Sequence, residues 1–131
     1  MDKKKMKKDL WMEGRWIDFW TINHLLSGIS AGSLLYLMGI SLGWSFFISS
    51  VLFLGWEIIE FVSKIESPIN QIVDLVADFL GYGIFYTFYY LLGKPFDPIV
   101  VFIIVLSFVI LEGWEFYTWR LRVKDSQQLQ N

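Results

Sequence analysis

Eight polar side chains interrupt otherwise apolar runs of this chain: Asn23 and His24, Glu57 and Glu60, Asp74 and Asp78, Glu112 and Glu115. The carboxylates come in pairs three or four residues apart, the separation that sets both on one face of a helix. Hard carboxylate oxygens beside a single imidazole are ligands for Mg, Mn, Ca, Fe or Zn. No lysine or arginine lies within the same runs to neutralise them. Like charges gathered there must take up protons, bind a cation or line a wet cavity. The residues therefore point to a divalent-cation site drawn from Glu57, Glu60, Asp74, Asp78, Glu112, Glu115 and His24, with the metal's identity open. His24, Asp74 and Asp78 are the candidates for a catalytic role.

The elements that must carry these groups are membrane helices. The chain has 131 residues, 55% hydrophobic and 19% aromatic, with mean hydropathy +0.48, too apolar for a soluble domain of this size. Spanning a bilayer takes about 20 mostly apolar residues, and four stretches qualify, about 19–40, 44–62, 72–92 and 98–119. The links between them are short, so successive helices are antiparallel neighbours. The expected fold is all-α, an integral membrane four-helix bundle occupying 19–119. The first stretch lacks a small-residue cleavage site and is too long for a signal core, so it reads as a true span. With no cysteine in the chain, disulfides and thiolate metal sites are excluded.

Charge placement sets the orientation. Of 11 basic residues, Lys3, Lys4, Lys5, Lys7, Lys8, Arg15, Lys64, Arg120, Arg122 and Lys124 fall on one face, and Lys94 alone on the other. Lysine and arginine are retained in the cytoplasm, so both termini are expected there, in a multi-pass plasma-membrane protein. The leader 1–18 mixes the five lysines with Trp11 and Trp16, the composition of an interfacial segment. Those lysines would meet anionic lipid headgroups, each attracted by about 1 kcal/mol. The tail 120–131 is polar and expected to fray after Lys124. A net charge of −2 offers no nucleic-acid surface. The partners implied are the bilayer and an anionic or phosphate-bearing lipid, and a homo-oligomer is compatible with this composition.

Depth and repetition add detail. Spans one and three carry their polar groups near their starts, and spans two and four near their ends, so all eight fall in one layer on the cytoplasmic side. His24 lies about 7 Å inside its span at 1.5 Å per residue. A charged residue costs about 2.5–3.5 kcal/mol at a helix centre, so the carboxylates should face the bundle interior. Gly55-Trp56-Glu57 and Gly113-Trp114-Glu115 are identical tripeptides. Setting Gly39 against Gly93 also aligns Tyr36 with Tyr90 and His24 with Asp78, the pattern of two repeated helix pairs about an axis along the membrane normal. Gly28-x-x-x-Gly32 and Gly81 invite close helix packing. Trp44, Phe46, Phe85, Tyr86, Phe88, Tyr89 and Tyr90 are expected to form an aromatic belt at the outer end.

His24-x-x-x-Gly28, Trp56-Glu57-x-x-Glu60 and Asp74-x-x-x-Asp78-x-x-Gly81 resemble the ordered signatures of small prokaryotic membrane proteins of the YjdF-like and VanZ-like families, over about residues 23–83. Asp78 stands where the VanZ-like pattern has asparagine. The resemblance implies a prokaryotic plasma-membrane protein whose polar residues matter, and it supplies no reaction. Asn70-x-x-x-Asp74-x-x-x-Asp78 is similar to the aspartate motifs of membrane prenyltransferases, but those folds need more spans than this chain has. The di-iron bundle pattern needs two Glu-x-x-His motifs, and this chain has one histidine.

Three functions compete. The first is an intramembrane cation site near the cytoplasmic face that engages a phosphate-bearing lipid. The second is a component of proton or cation transport, and the third a non-catalytic accessory or assembly protein. For the carboxylates the bland alternative is a structural network of protonated acids, and for His24 an interhelical hydrogen bond to a carboxylate.

Overall fold

A computed structural model describes residues 17–63, 68–93 and 97–128. The leader, with its five lysines, and Lys64 and Lys94 lie outside the described residues. The architecture is all-helical: α1 (Phe19–Leu37), α2 (Leu42–Ser63), α3 (Pro68–Tyr86) with a π-helical turn (Thr87–Leu91) at its end, and α4 (Pro98–Gln128).

Local chemistry sets the boundaries. Asp18 caps α1 by accepting from the Trp20 and Thr21 amides at 3.0 and 3.3 Å, and the Thr21 hydroxyl accepts from the Asp18 amide in return. Asp97 does the same for α4 through the Ile99 amide at 2.8 Å. Pro68 and Pro98 open α3 and α4, a position where a missing N–H costs nothing. Gly39 (φ 74°) and Gly93 (φ 58°) follow α1 and the π-helical turn after α3 in the left-handed region. Two boundaries differ from expectation. α3 begins at Pro68 instead of residue 72, because hydropathy alone passes over the polar first turn with Asn70 and Gln71. α4 runs to Gln128 and carries the tail that was expected to fray, since good helix formers without Gly or Pro follow Trp119.

The α1–α3 pair is the centre of the fold. Contacts rise in parallel along both helices: His24 with Asp78, Gly28 with the Asp78 and Tyr82 backbone, Gly32 with the Phe85 ring, and Tyr36 with Tyr89 and Tyr90. Gly28 on α1 and Gly81 on α3 each press against the other helix's backbone, where a Cβ has no room. α2 runs antiparallel along α3, with Ser45 beside Tyr82 and Phe53 against Phe79. α4 packs on α1 alone among the described residues, and α2 and α4 do not meet. Three pairs that the internal alignment sets on each other, His24 with Asp78, Gly28 with Tyr82 and Tyr36 with Tyr90, are direct neighbours.

The apolar core is small: Phe53, Tyr82, Phe85 and Tyr89, packed by Ala31, Leu75, Phe79 and Tyr86. Phe85 and Tyr89 were expected in an outer belt and are instead buried, because Gly32 leaves a space that the Phe85 ring fills. Trp44, Phe46, Phe88 and Tyr90 remain exposed. Among the described residues more polar than apolar side chains are buried, including four serines, five glutamates and aspartates and Asn23, while leucines, isoleucines and phenylalanines cover the outside. Three helical stretches are long and apolar enough to cross a membrane: Leu42–Val62, Pro68–Leu91 and Pro98–Thr118. α1, expected as a fourth span, is not among them, because Thr21, Asn23, His24 and its serines lower its hydropathy.

Candidate metal centre

The polar layer assembles where α2, α3 and α4 approach α1. His24 is buried, and its Nδ1 lies 3.0 Å from Asp78 Oδ2 and 3.9 Å from Glu57 Oε1. The other oxygen of Asp78 accepts from the Ser27 hydroxyl. Asp78 thus has both oxygens engaged, one on the imidazole and one on a hydroxyl a single turn along α1, and it fixes the ring's direction.

Glu57 and Glu60, one turn apart on α2, also approach the imidazole, Glu57 toward the same Nδ1 that Asp78 engages. A nitrogen of His24 and one oxygen from each glutamate all lie within 4.8 Å of one another, and all three residues are buried. Both oxygens of Glu57 lack a hydrogen-bond partner, and Trp56 on the same helix is a donor to Glu60. Buried carboxylate oxygens left without donors are costly, and a cation is one group that removes that cost. Ligands around an ion with bonds of about 2.0–2.2 Å stand no more than about 4.4 Å apart, so small side-chain rotations close the set. This group can hold a metal ion.

The remaining predicted ligands sit elsewhere in the layer. Glu112 and Glu115 on α4 share Asn23, whose Nδ2 donates to Glu112 Oε2 at 2.6 Å and to Glu115 Oε2 at 2.8 Å. One carboxamide thereby ties α4 to α1. Asp74 is wholly buried on α3, one turn before Asp78. Asn70, a turn earlier, donates to Asp18 Oδ2 at 3.2 Å and joins the start of α3 to the start of α1. The single layer expected from depth is present, but its members fall into a His24–Glu57–Glu60 group, a Ser27–Asp78 brace and an Asn23–Glu112–Glu115 clasp.

Ser27 and Asn70 are polar partners that ligand chemistry alone did not single out as such. Ser27 stands three residues after His24, on the same face, and that spacing is the signal for its role. The chain matches no known family model, no curated protein and no solved structure.

Proposed function

We propose that the chain is a four-span membrane protein with both termini in the cytoplasm, in which His24, Glu57 and Glu60 hold a divalent cation near the cytoplasmic face. Polar side chains inside and apolar ones outside invert the order found in water and suit a lipid solvent. α1 serves as the fourth span because its polar face is covered by α2, α3 and α4 and does not meet lipid. The neighbouring internal mates support descent of the two helix pairs from one.

The observation that carries the cation is the convergence of one imidazole and two buried carboxylates, with both oxygens of Glu57 lacking a hydrogen-bond donor. Asp78 and Glu57 both approach Nδ1, at 3.0 and 3.9 Å, and Asp78 orients the ring as carboxylates beside ligating imidazoles do. A cation so placed polarises a phosphoryl oxygen or activates water, which suits a hydrolase or transferase acting on a phosphate-bearing lipid. Transport is less well supported, because no Asp, Glu, His, Lys or Arg continues the path along α1 after His24, α2 before Glu57, or α4 between Asp97 and Glu112.

The test is metal content. Protein purified in mild detergent is expected to carry near-stoichiometric divalent metal by elemental mass spectrometry, and a folded Glu57→Gln, Glu60→Gln variant to carry none. Absence of metal after supplementation would rule the site out and favour a network of protonated acids.

A further inference from the structure

A pocket of about 420 Å³ lies between α1, α2 and α4, within the range of small-molecule sites. It exists because α2 and α4 both pack on α1 without meeting each other. Its lining is graded. Asn23, His24, Asp78 and Glu112 form one end, while Leu34, Phe53, Phe108 and Val109 form walls interrupted by Ser30. Leu34, Leu52, Trp56 and Val109 line it and are also exposed, so it opens sideways onto the apolar outer surface. From His24 to Leu34 along α1 is about 15 Å, the reach of one extended hydrocarbon chain.

Donors and acceptors at the polar end do not balance. Asn23 Nδ2 gives both its hydrogens to carboxylates, to Glu112 Oε2 at 2.6 Å and to Glu115 Oε2 at 2.8 Å. That fixes the carboxamide, because the reverse orientation would turn its oxygen against two carboxylate oxygens. Asn23 Oδ1 is therefore an acceptor, and it is left without a donor in a residue only 3% exposed. The Ser27 hydroxyl is engaged by Asp78 Oδ1, and His24 Nδ1 by Asp78 Oδ2. Among the described residues nothing donates to Glu112 Oε1. No lysine or arginine lines the pocket, and two carboxylates stand there against one imidazole.

The head that suits this end brings N–H donors and positive charge and has no acceptor of its own. A primary ammonium has three donors and no lone pair. Phosphate or carboxylate would set acceptors against acceptors. A quaternary ammonium has the charge but no N–H for Asn23 Oδ1, and a hydroxyl has the donor but no charge. A charge withdrawn from water needs an opposite charge beside it, which Glu112 supplies. A divalent ion on His24, Glu57 and Glu60 leaves this intact, because Glu57 and Glu60 balance it and neither lines the pocket.

We propose that this pocket binds a primary aliphatic amine as its ammonium ion, the head on Asn23 Oδ1 and Glu112 and the chain in the gap between α2 and α4. This site does not depend on the cation site. The acceptors recognise the head and the gap recognises the chain.

The experiment uses the full chain in nanodiscs of phosphatidylcholine, a lipid without a primary ammonium, with bound amphiphile counted by native mass spectrometry. Dodecylammonium is expected to bind at least about ten-fold more tightly than dodecyl phosphate, dodecanol or dodecyltrimethylammonium, which share its chain. Its affinity should not change when divalent metal is chelated. Glu112→Gln keeps the shape of the head site and should weaken dodecylammonium at least about ten-fold while leaving dodecanol unaffected. Val105→Trp, on the wall of the gap, should abolish dodecylammonium binding in protein whose circular dichroism is unchanged. Equal binding of all four amphiphiles, or tighter binding of dodecyl phosphate, would overturn the proposal, and this comparison in the unmodified chain needs no variant to fold. Indifference of dodecylammonium to Glu112→Gln in folded protein would overturn it too. Loss of binding on chelation would mean that a metal holds the head, and displacement by phosphatidylethanolamine would give the site to a lipid headgroup; either result overturns the single-chain amine.

Discussion

Asp78 and Glu57 carry similar groups at similar depth, yet their surroundings assign them different work. Glu57 has oxygens without donors beside the imidazole, so Glu57→Gln replaces a ligand by a neutral amide and should abolish stoichiometric metal. Asp78 holds Nδ1 of the ring at hydrogen-bond distance, 3.0 Å. Asp78→Asn keeps the shape, loses the charge that orients His24, and is expected to weaken Mn(II) binding about 10–100-fold without abolishing it. Calorimetric titration of the two variants separates ligand from brace, and equal, complete loss in both would place Asp78 among the ligands. Affinity should also fall as pH is lowered, because protons compete with the ion for imidazole and carboxylate alike. A pH-independent affinity would contradict a His–Glu–Glu donor set.

Helices α1 and α3 meet at backbone distance, and glycine is what permits it. A Cβ on Gly28 or Gly81 would collide with the carbonyl of Asp78 or Leu25. Backbone cannot swing aside as a side chain does, so Gly28→Ala should destabilise the fold by about 1–3 kcal/mol through overpacking. The same contact brings Asp78 to His24, so the substitution should weaken metal binding as well. Gly55 on α2 has nothing within 4 Å of an added Cβ. Gly55→Ala is expected to be neutral or to gain up to about 1 kcal/mol from helix propensity. Circular dichroism during detergent-induced unfolding compares the two. Similar midpoints would mean that the α1–α3 crossing does not hold the fold together.

For the molecule as a whole, orientation is the property most open to direct measurement. The chain has no cysteine, so single cysteines can be introduced into an unmodified background. Lys94→Cys should react with a membrane-impermeant maleimide in intact cells, whereas Asn131→Cys should react only after permeabilisation. The opposite pattern would invert the topology and move the carboxylate layer to the outer face. Leu42–Val62, Pro68–Leu91 and Pro98–Thr118 make three stretches of spanning length and hydropathy, and the proposed topology requires α1 as a fourth crossing to put both termini on one side. Were α1 to lie outside the bilayer, the two ends would label from opposite sides.

Much of this was legible in the sequence because hydropathy and charge act locally. Runs of apolar residues of spanning length, glycines where outward helices end, and a one-sided distribution of lysine and arginine each follow from the solvent a residue meets, whatever its tertiary partners. Depth along a helix is also local, which is why His24, Glu57, Asp78 and Glu115 could be assigned to one layer before any packing was known. Rotation about the helix axis and the distance between helices are not local. That Asn23 clasps Glu112 and Glu115, that Ser27 and His24 share Asp78, and that Glu57 is left without a donor were decided by how the helices pack. The close α1–α3 crossing buried Phe85 over Gly32, where composition alone suggested an outer belt. The gap between α2 and α4 has no counterpart in any single segment, because it is set by which neighbours α1 keeps apart.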